Sequence, residues 1–230
     1  MQLYLSKVTL SPSANLAKVL LELDQNDAYA SHQLLWRELF HRDEKRQFIY
    51  RQEVDAHQLP LFYTLSKTQP DPYSRYCRVE SKVFAPQLHA GQKLAYQLRV
   101  NPTVCITKDG RQQRHDVVMH TKHQLRDEQL QPHVLQQHMD DAVHQWLGHE
   151  SRLSRWGIKL DTQPDIQSYT QHGSYKKNRR EQHKHHVRFS SVDVQGILTV
   201  TDPERFLSQY AEGFGRAKAM GCGLMLIRRI

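Results

Sequence analysis

Two α+β domains in tandem are the fold this sequence predicts, residues 1–88 forming one and 93–230 the other. Three observations predict it. Strand-like and helix-like stretches follow one another in nearly the same order twice along the chain. The stretch between the two series, PQLHAGQK (86–93), has a linker's composition. The 230 residues give each half about 100, near the common domain size and enough to bury a core.

In the first half, LYLSKVTL (3–10) alternates and is rich in β-formers, which predicts a strand, and Ser11-Pro12-Ser13 stops it. SANLAKVLLEL (13–23) sets Leu16, Val19, Leu20 and Leu23 at spacings of three and four, one stripe of a helix. Residues 24–27 are polar and read as a break; DAYASHQLLWRELF (27–40) then resumes the helix with Asp27 as N-cap. FIYRQEV (48–54), LPLFYTL (59–65) and YCRVESKVF (76–84) are further strands. The order β-α-β-β-(short helix or turn)-β is that of a ferredoxin-like sheet with its helices on one face.

In the second half, KLAYQLRVNPTVCIT (93–107) is strand-like, with Asn101-Pro102 as a kink or bulge. KDGRQQRH (108–115) reads as a turn with basic edges. HVLQQHMDDAVHQWLGH (133–149) gathers Leu135, Met139, Ala142, Val143, Trp146 and Leu147 on one side of a helix. WGIKLDT (156–162) is a strand, and VRFSSVDVQGILTV (187–200) reads as strand, tight turn over 193–196, and strand. DPERFLSQYAEGF (202–214) is a helix whose Asp202-Pro203 start suits N-cap and N1, and GLMLIRRI (223–230) is a last strand. The duplication is one of pattern; no residue-level repeat is evident.

Hydrophobic residues make up 38%, enough for a core, while a mean hydropathy of -0.73 requires a wet surface. Lys and Arg total 32 against 24 Asp and Glu, a formal charge of +8 that favours anionic partners. Cys77, Cys105 and Cys222 lie far apart with no CxxC pair, which fits a reducing cytoplasm better than a disulfide framework. The opening MQLYLSKVTL is too short and polar for a signal peptide, and no run reaches the ~18 apolar residues of a membrane span. A cytoplasmic protein without membrane contact is therefore expected.

Three stretches can carry chemistry. YKKNRREQHKHH (175–186) holds Lys176, Lys177, Arg179, Arg180 and Lys184 against the single acid Glu181, between two strands. A basic finger of this kind can enter an RNA groove or line its phosphates. Its histidines lack a Cys or carboxylate at ligand spacing, so a metal site is disfavoured. GFGRAKAMGCGL (213–224) combines Gly213, Gly215, Gly221 and Gly223 with Arg216 and Lys218. Glycines let a backbone approach a phosphate, though a glycine-rich turn that merely lets segments pack explains the same residues. It is neither a P-loop nor a dinucleotide fingerprint. Third, Tyr29 and His32 stand three apart, on one helix face. RNA cleavage by its own 2′-OH needs alignment, a base or acid, and positive charge on the developing phosphorane. Against this, His32 shares a stripe with Leu35, Trp36 and Leu39, and it is one of 15 histidines.

Together these stretches resemble the CasE family of CRISPR-associated endoribonucleases, of the RAMP superfamily. The resemblance runs nearly the full length, from LYLSKVTL through YASHQLLW, the RVNPT strand and GILTV to GFGRAKAMGCGL, whose glycine and lysine spacing is the specific part. It implies two ferredoxin-like domains. It also implies cutting of CRISPR repeat RNA at the base of a stem-loop, giving a 2′,3′-cyclic phosphate and a 5′-OH without a metal or other cofactor. His32 then falls on the family's catalytic histidine and Tyr29 on its helper tyrosine. The basic segment 176–184 falls on its groove-inserted hairpin, and Arg111 and Arg114 fall in a region facing RNA. The implied partners are the repeat stem-loop and the other subunits of the Cascade complex, its backbone subunit above all, around a chain that is monomeric when free.

Two other readings compete. A non-catalytic RNA-binding subunit shares every charge feature and differs only at His32, though no RNP1-type aromatic strand is present. A metal-dependent nuclease wants clustered acids; the adjacent pair Asp140-Asp141 reads as the solvated edge of a helix.

Overall fold

The computed structural model describes residues 2–12, 16–108, 110–176 and 185–230, excepting the side chains of 25–28, 108, 174–176 and 185–187. Two compact units divide the chain. One comprises Met1–Gln87, Gln171–Arg188 and Tyr210–Leu224, the other Leu88–Thr170, Phe189–Gln209 and Met225–Ile230.

The first unit contains β1 (Tyr4–Leu10), α1 (Leu16–Leu39), β2 (Phe48–Val54), β3 (Pro60–Ser66) and β4 (Cys77–Val83). Its antiparallel strand order, β2-β3-β1-β4, is the ferredoxin-like one, with turns where the second helix would stand. The break expected at residues 24–27 is absent, and α1 is one helix of 24 residues. Val19 and Leu23 before that point bury in the same core as Leu34, Leu35 and Leu39 after it. Each such side chain contributes roughly 1.5–3 kcal/mol. That outweighs the ~0.7 kcal/mol by which each Asp or Asn disfavours a helix interior.

Both faces of this sheet are covered. Val8, Phe48, Tyr50 and Phe62 lie in the core with α1, while Ile49, Leu61 and Leu65 are also buried. The glycine-rich segment reaches the sheet at its edge. A Cβ placed on Gly213 would stand 2.9 Å from Ile49 Cδ1, and one on Gly221 would stand 3.3 Å from the Tyr50 ring. Ile49 and Tyr50 are successive strand residues, so they point to opposite faces. Since β2 is the edge strand, the segment passes around that edge from one face to the other.

The second unit is built on β5 (Lys93–Val100), β8 (Ile158–Leu160), β10 (His185–Val200) and β11 (Met225–Arg229) in the order β11-β5-β10-β8, with β9 (Asp165–Lys176) paired to β10. This is again the ferredoxin-like order. Asn101-Pro102, expected as a kink or bulge within one strand, instead ends β5, and the chain beyond it joins a separate sheet. The expected turn over 108–115 is instead largely a strand: β6 (Thr103–Lys108) and β7 (Arg111–Asp116) form a two-stranded ribbon around Gly110. Next come α2 (Val117–Gln124), α3 (Pro132–Leu147) and α4 (Glu150–Trp156), and later α5 (Pro203–Glu212). Asp116 caps α2, its Oδ1 accepting from the Met119 N–H at 2.7 Å. Asp202 accepts from the Arg205 N–H at 3.0 Å at the start of α5, the expected cap.

The turn expected over 193–196 is also absent, because β10 runs through it as one strand paired with β5 from Val192 to Thr199. Gly196 serves packing: a Cβ there would lie 3.3 Å from the ring of Tyr96 on β5. Asp193 faces Arg99 across the ladder in a bidentate pair of 2.9–3.2 Å. Among the described residues no helix is long and apolar enough to cross a membrane.

Candidate active site

The position of His32 follows from the rotation of α1. Ser31 is buried and its Oγ donates to Gln52 Oε1 of β2 at 2.6 Å, while Leu34 and Leu35 enter the core. His32 is thereby turned toward the start of β2. Its ring stacks on Phe48 (centroids 5.4 Å, planes 19° apart) and tilts against Trp36 at 6.1 Å and Tyr50 at 6.5 Å. Nε2 is buried and has no hydrogen-bond partner among the described residues. Burial, assisted by the charge of Arg46, lowers its pKa from 6.5 to about 4. At neutral pH the ring is therefore an uncharged imidazole with one nitrogen open to a new partner.

The segment 213–224, from far along the chain, packs against Tyr50, whose ring neighbours His32. Gly213, Gly215, Gly221 and Gly223 all have positive φ, between 78° and 91°. The Phe214 N–H donates to the Gly223 carbonyl at 2.8 Å, closing the loop. Gly213, Gly221 and Gly223 are buried, and their close approaches are to protein: a Cβ on Gly223 would meet the Phe214 carbonyl at 2.9 Å. Gly215 is half-buried and Arg216 is exposed. Lys218 opens the 3-10 turn Lys218–Met220, and the Tyr50 hydroxyl donates to the Ala219 carbonyl in that turn at 3.5 Å. Tyr50 thus lies between the turn and the His32 ring. Burial lowers the Lys218 pKa, as does the neighbouring Arg46, against the opposing pull of Glu212.

Of the other residues singled out in the sequence, Tyr29 lies on the same helix as His32, two lie in the second unit, and most of the basic segment lies outside the described residues. The Tyr29 hydroxyl accepts from Gln33 Nε2 at 2.9 Å, one helical turn from His32. Arg111 and Arg114 are exposed on β7 of the second unit. Lys176 ends β9; Lys177, Arg179, Arg180 and Lys184 lie outside the described residues. Asp140 and Asp141 accept from Gln136 and Gln137 on their own helix, at 2.8 and 3.0 Å. Among the described residues no three His, Cys, Asp or Glu side chains gather at metal-binding distances. Sequence reading passed over Arg46; it lies in the mixed-charge run HRDEKR (41–46), and no signal in that run separates it from its neighbours.

A family model described as "CRISPR associated protein" matches residues 3–229. Among curated proteins none matches. Solved structures similar to the chain include CRISPR endoribonuclease Cse3 bound to a 19-nucleotide RNA, with a TM-score of 0.70, 24% identity and 99% of each chain covered. Cse3 of Thermus thermophilus, bound to an RNA representing a pre-cleavage complex, gives a TM-score of 0.66 at 24% identity over 99% of this chain and 100% of that one. Cas6e of Escherichia coli gives 0.63 at 20% identity over 99% and 100%. At these identities the likeness to solved structures is one of fold, and that fold is the tandem arrangement described above. With a model matching all but its first two residues and its last, this chain belongs to the CRISPR-associated protein family, which bears out the resemblance read from its motifs.

Proposed function

We propose that this chain is an endoribonuclease of the CasE type. It binds the stem-loop of CRISPR repeat RNA, cuts at the 3′ base of the stem without a metal ion, and stays on the product as a Cascade subunit. The observation that carries the reading is the buried, unpartnered Nε2 of His32 beside a cation-bearing segment. Fold likeness to RNA-bound Cse3 supports the choice of RNA as substrate.

The neutral imidazole of His32 takes the proton of the ribose 2′-OH. The 2′-oxygen then forms a bond to the adjacent phosphorus, the bond to the 5′-oxygen breaks, and that oxygen leaves with the proton that the His32 imidazolium gives back, directly or through water. The products are a 2′,3′-cyclic phosphate and a 5′-OH. An incoming phosphate stabilises the imidazolium that the empty site disfavours, so substrate raises the basicity of its own base. Tyr29, one turn away, positions the imidazole or the phosphate when RNA is bound. Arg111, Arg114, Lys176, Lys177, Arg179, Arg180, Lys184, Arg216 and Lys218 hold phosphates of the stem. Gly213, Gly215, Gly221 and Gly223 shape the loop that presents the last two cations. The free chain is a cytoplasmic monomer, and the Cascade backbone subunit is its protein partner.

The test is incubation of a repeat stem-loop with the wild type and His32→Ala in EDTA, with end-group analysis. The wild type is expected to cut and the variant to bind without cutting; full cleavage by the variant rejects the assignment. One observation favours a second reading, a non-catalytic RNA-binding subunit. Nε2 lies behind aromatic packing, as in a structural histidine. Intact RNA after incubation with the wild type selects that reading.

A further inference from the structure

The loop between β3 and β4, residues 67–76, is tied down on both sides of one exposed ring. Asp71 holds its first half. The Asp71 N–H donates to the Leu39 carbonyl of α1 at 2.9 Å, and Oδ1 accepts from the Tyr73 N–H at 2.9 Å. Oδ2 lies 3.0 Å from Arg42 Nη2 and 3.8 Å from His41 Nε2. Pro72, between Asp71 and Tyr73, fixes one more backbone angle. Ser74 holds the second half. Its Oγ accepts from the Tyr76 and Cys77 N–H groups at 3.2 and 3.0 Å and donates to Glu38 Oε2 at 3.0 Å. Between these anchors Tyr73 is 91% exposed.

A single exposed aromatic carries no meaning by itself. Two further observations give this one a ligand. First, the ion pairs at its base are turned so that the cations face water and the acids do not. The side chains of Arg42 and His41 are 79% and 48% exposed where that of Asp71 is 9%, and Arg37 is 55% exposed where Glu38 is 10%. Arg75 is exposed as well, and Glu44 is the one exposed acid of residues 37–47 and 67–76 among the described residues. The surface presented to a ligand is therefore positive. Second, among the described residues no other large hydrophobic side chain of these two stretches is exposed. A protein contact centred on a tyrosine wants a packed surround. A nucleobase stacked on the ring wants a phosphate-binding cation beside it.

The loop also reaches the centre within its own unit. Leu39, which accepts from Asp71, precedes Phe40; Phe40 stacks on Phe48 at 4.4 Å, and Phe48 on His32 at 5.4 Å. Loop and imidazole are anchored to one stack of rings.

We propose that Tyr73 is a base-stacking platform for an unpaired nucleotide flanking the RNA stem, with the Arg42 guanidinium on that nucleotide's phosphate. This rests on the RNA-binding part of the reading above. Bases inside a stem have their faces covered by neighbours, so the base that covers Tyr73 comes from single strand. Arg42 uses Nη2 on Asp71 and keeps other donors for a phosphate. The pinned loop has little freedom to lose on binding, which favours affinity.

The experiment measures Kd by fluorescence anisotropy for two RNAs made uncleavable by 2′-deoxyriboses around the stem base. One is a repeat stem-loop with its unpaired flanks, the other the same stem-loop without them. Tyr73→Ala is expected to weaken binding of the flanked RNA between about 5-fold and 100-fold and to leave the trimmed one unchanged. Tyr73→Phe and Tyr73→Trp, which keep a ring, should bind both at least as tightly as the wild type. Placed singly along the flanks, 2-aminopurine should be quenched at one position by the wild type and by Tyr73→Phe, and not by Tyr73→Ala. Arg42→Gln should lower the salt dependence of binding by about one phosphate contact. Because the ring is exposed, the variants at 73 should melt with the wild type. Equal losses on both RNAs, no loss on either, Tyr73→Phe as weak as Tyr73→Ala, or no position whose quenching depends on the ring overturns the proposal. So does a Tyr73→Ala chain that binds both RNAs normally and loses only its hold on Cascade subunits, which assigns the ring to a protein contact. A wild type that binds neither RNA overturns the endoribonuclease reading as well; one that binds but never cuts a cleavable stem-loop overturns that reading alone.

Discussion

His32 in the first unit and Tyr96 in the second are a matched pair with opposite surroundings. Each buries a polar atom, Nε2 in one and the hydroxyl in the other, without a hydrogen-bond partner among the described residues. Near each, a tyrosine ring leaves no room for a side chain on a glycine, where an added Cβ would stand 3.3 Å away: Gly221 against Tyr50 beside His32, and Gly196 against Tyr96 itself. The difference lies in what else is present. Tyr96 is 4% exposed, its pKa pushed up by burial alone, and no cation enters its account. His32 feels the charge of Arg46, neighbours Tyr50 against which the turn carrying Lys218 packs, and is only half-buried. An unsatisfied buried atom by itself records a packing compromise worth about 1–3 kcal/mol. It points to chemistry only where charge has been gathered around it.

The largest effect that can break this comparison is on cleavage. His32→Phe fills the same aromatic niche and should lower the cutting rate by about 10³-fold, the scale of a lost acid-base group. Its melting temperature should be unchanged or higher, because the orphaned nitrogen is gone. Tyr96→Phe should cut like the wild type; if the two variants behave alike in a cleavage assay, the contrast is void.

The glycines give the next largest effect. Gly221→Ala forces a side chain into the left-handed region at φ 80° and against Tyr50. It should cost about 2–3 kcal/mol in a urea titration and slow cleavage by shifting the ring beside His32. Gly196→Ala meets Tyr96 at the same distance without positive φ. It should cost about 1 kcal/mol and leave cleavage alone.

Acid sharpens the contrast further. The pKa of His32 is lower in the folded chain than the ordinary 6.5, so between 6.5 and about 4 the unfolded chain binds the extra proton. Stability from this group is complete above pH 6.5 and drains as pH falls toward 4. The loss should be on the order of 1 kcal/mol once the ring's partial exposure is discounted. Urea midpoints at pH 7 and 4.5 should converge more closely in His32→Phe than in the wild type. The smallest effect is Tyr96→Phe on stability, a gain within about 1 kcal/mol by the same melting assay.

Much of this was legible in the sequence. Alternation gave β1, the spacing of Leu16, Val19, Leu20 and Leu23 gave the first half of α1, and Asn101-Pro102 marked an interruption between β5 and β6. His32, Lys218 and the glycine segment were singled out by residue type, and they fall in one unit. What failed did so because the deciding partner lies far away in the chain. Gly196 reads equally well as a turn or as a close approach, and only Tyr96 on the neighbouring strand decides. The polar stretch 24–27 reads as a break until the core on either side is seen to be one. RQQRHD (111–116) has no strand pattern; it is a strand because β6 pairs with it.

The glycine segment wraps an edge strand that precedes it by most of the chain: Tyr50 and Ala219, joined by a hydrogen bond, are 169 residues apart. During synthesis β2 therefore emerges long before the stretch that shields it, and its unpaired rim stays open to stray strand pairing in the interval. The histidine's neighbourhood is finished only when that stretch arrives. A ribosome that stalls or stops before residue 210 would release a product with a recognisable first sheet and no assembled centre. Arrival of the glycine segment is in this sense a checkpoint that the topology sets, and fragments that lack it would be without the proposed centre.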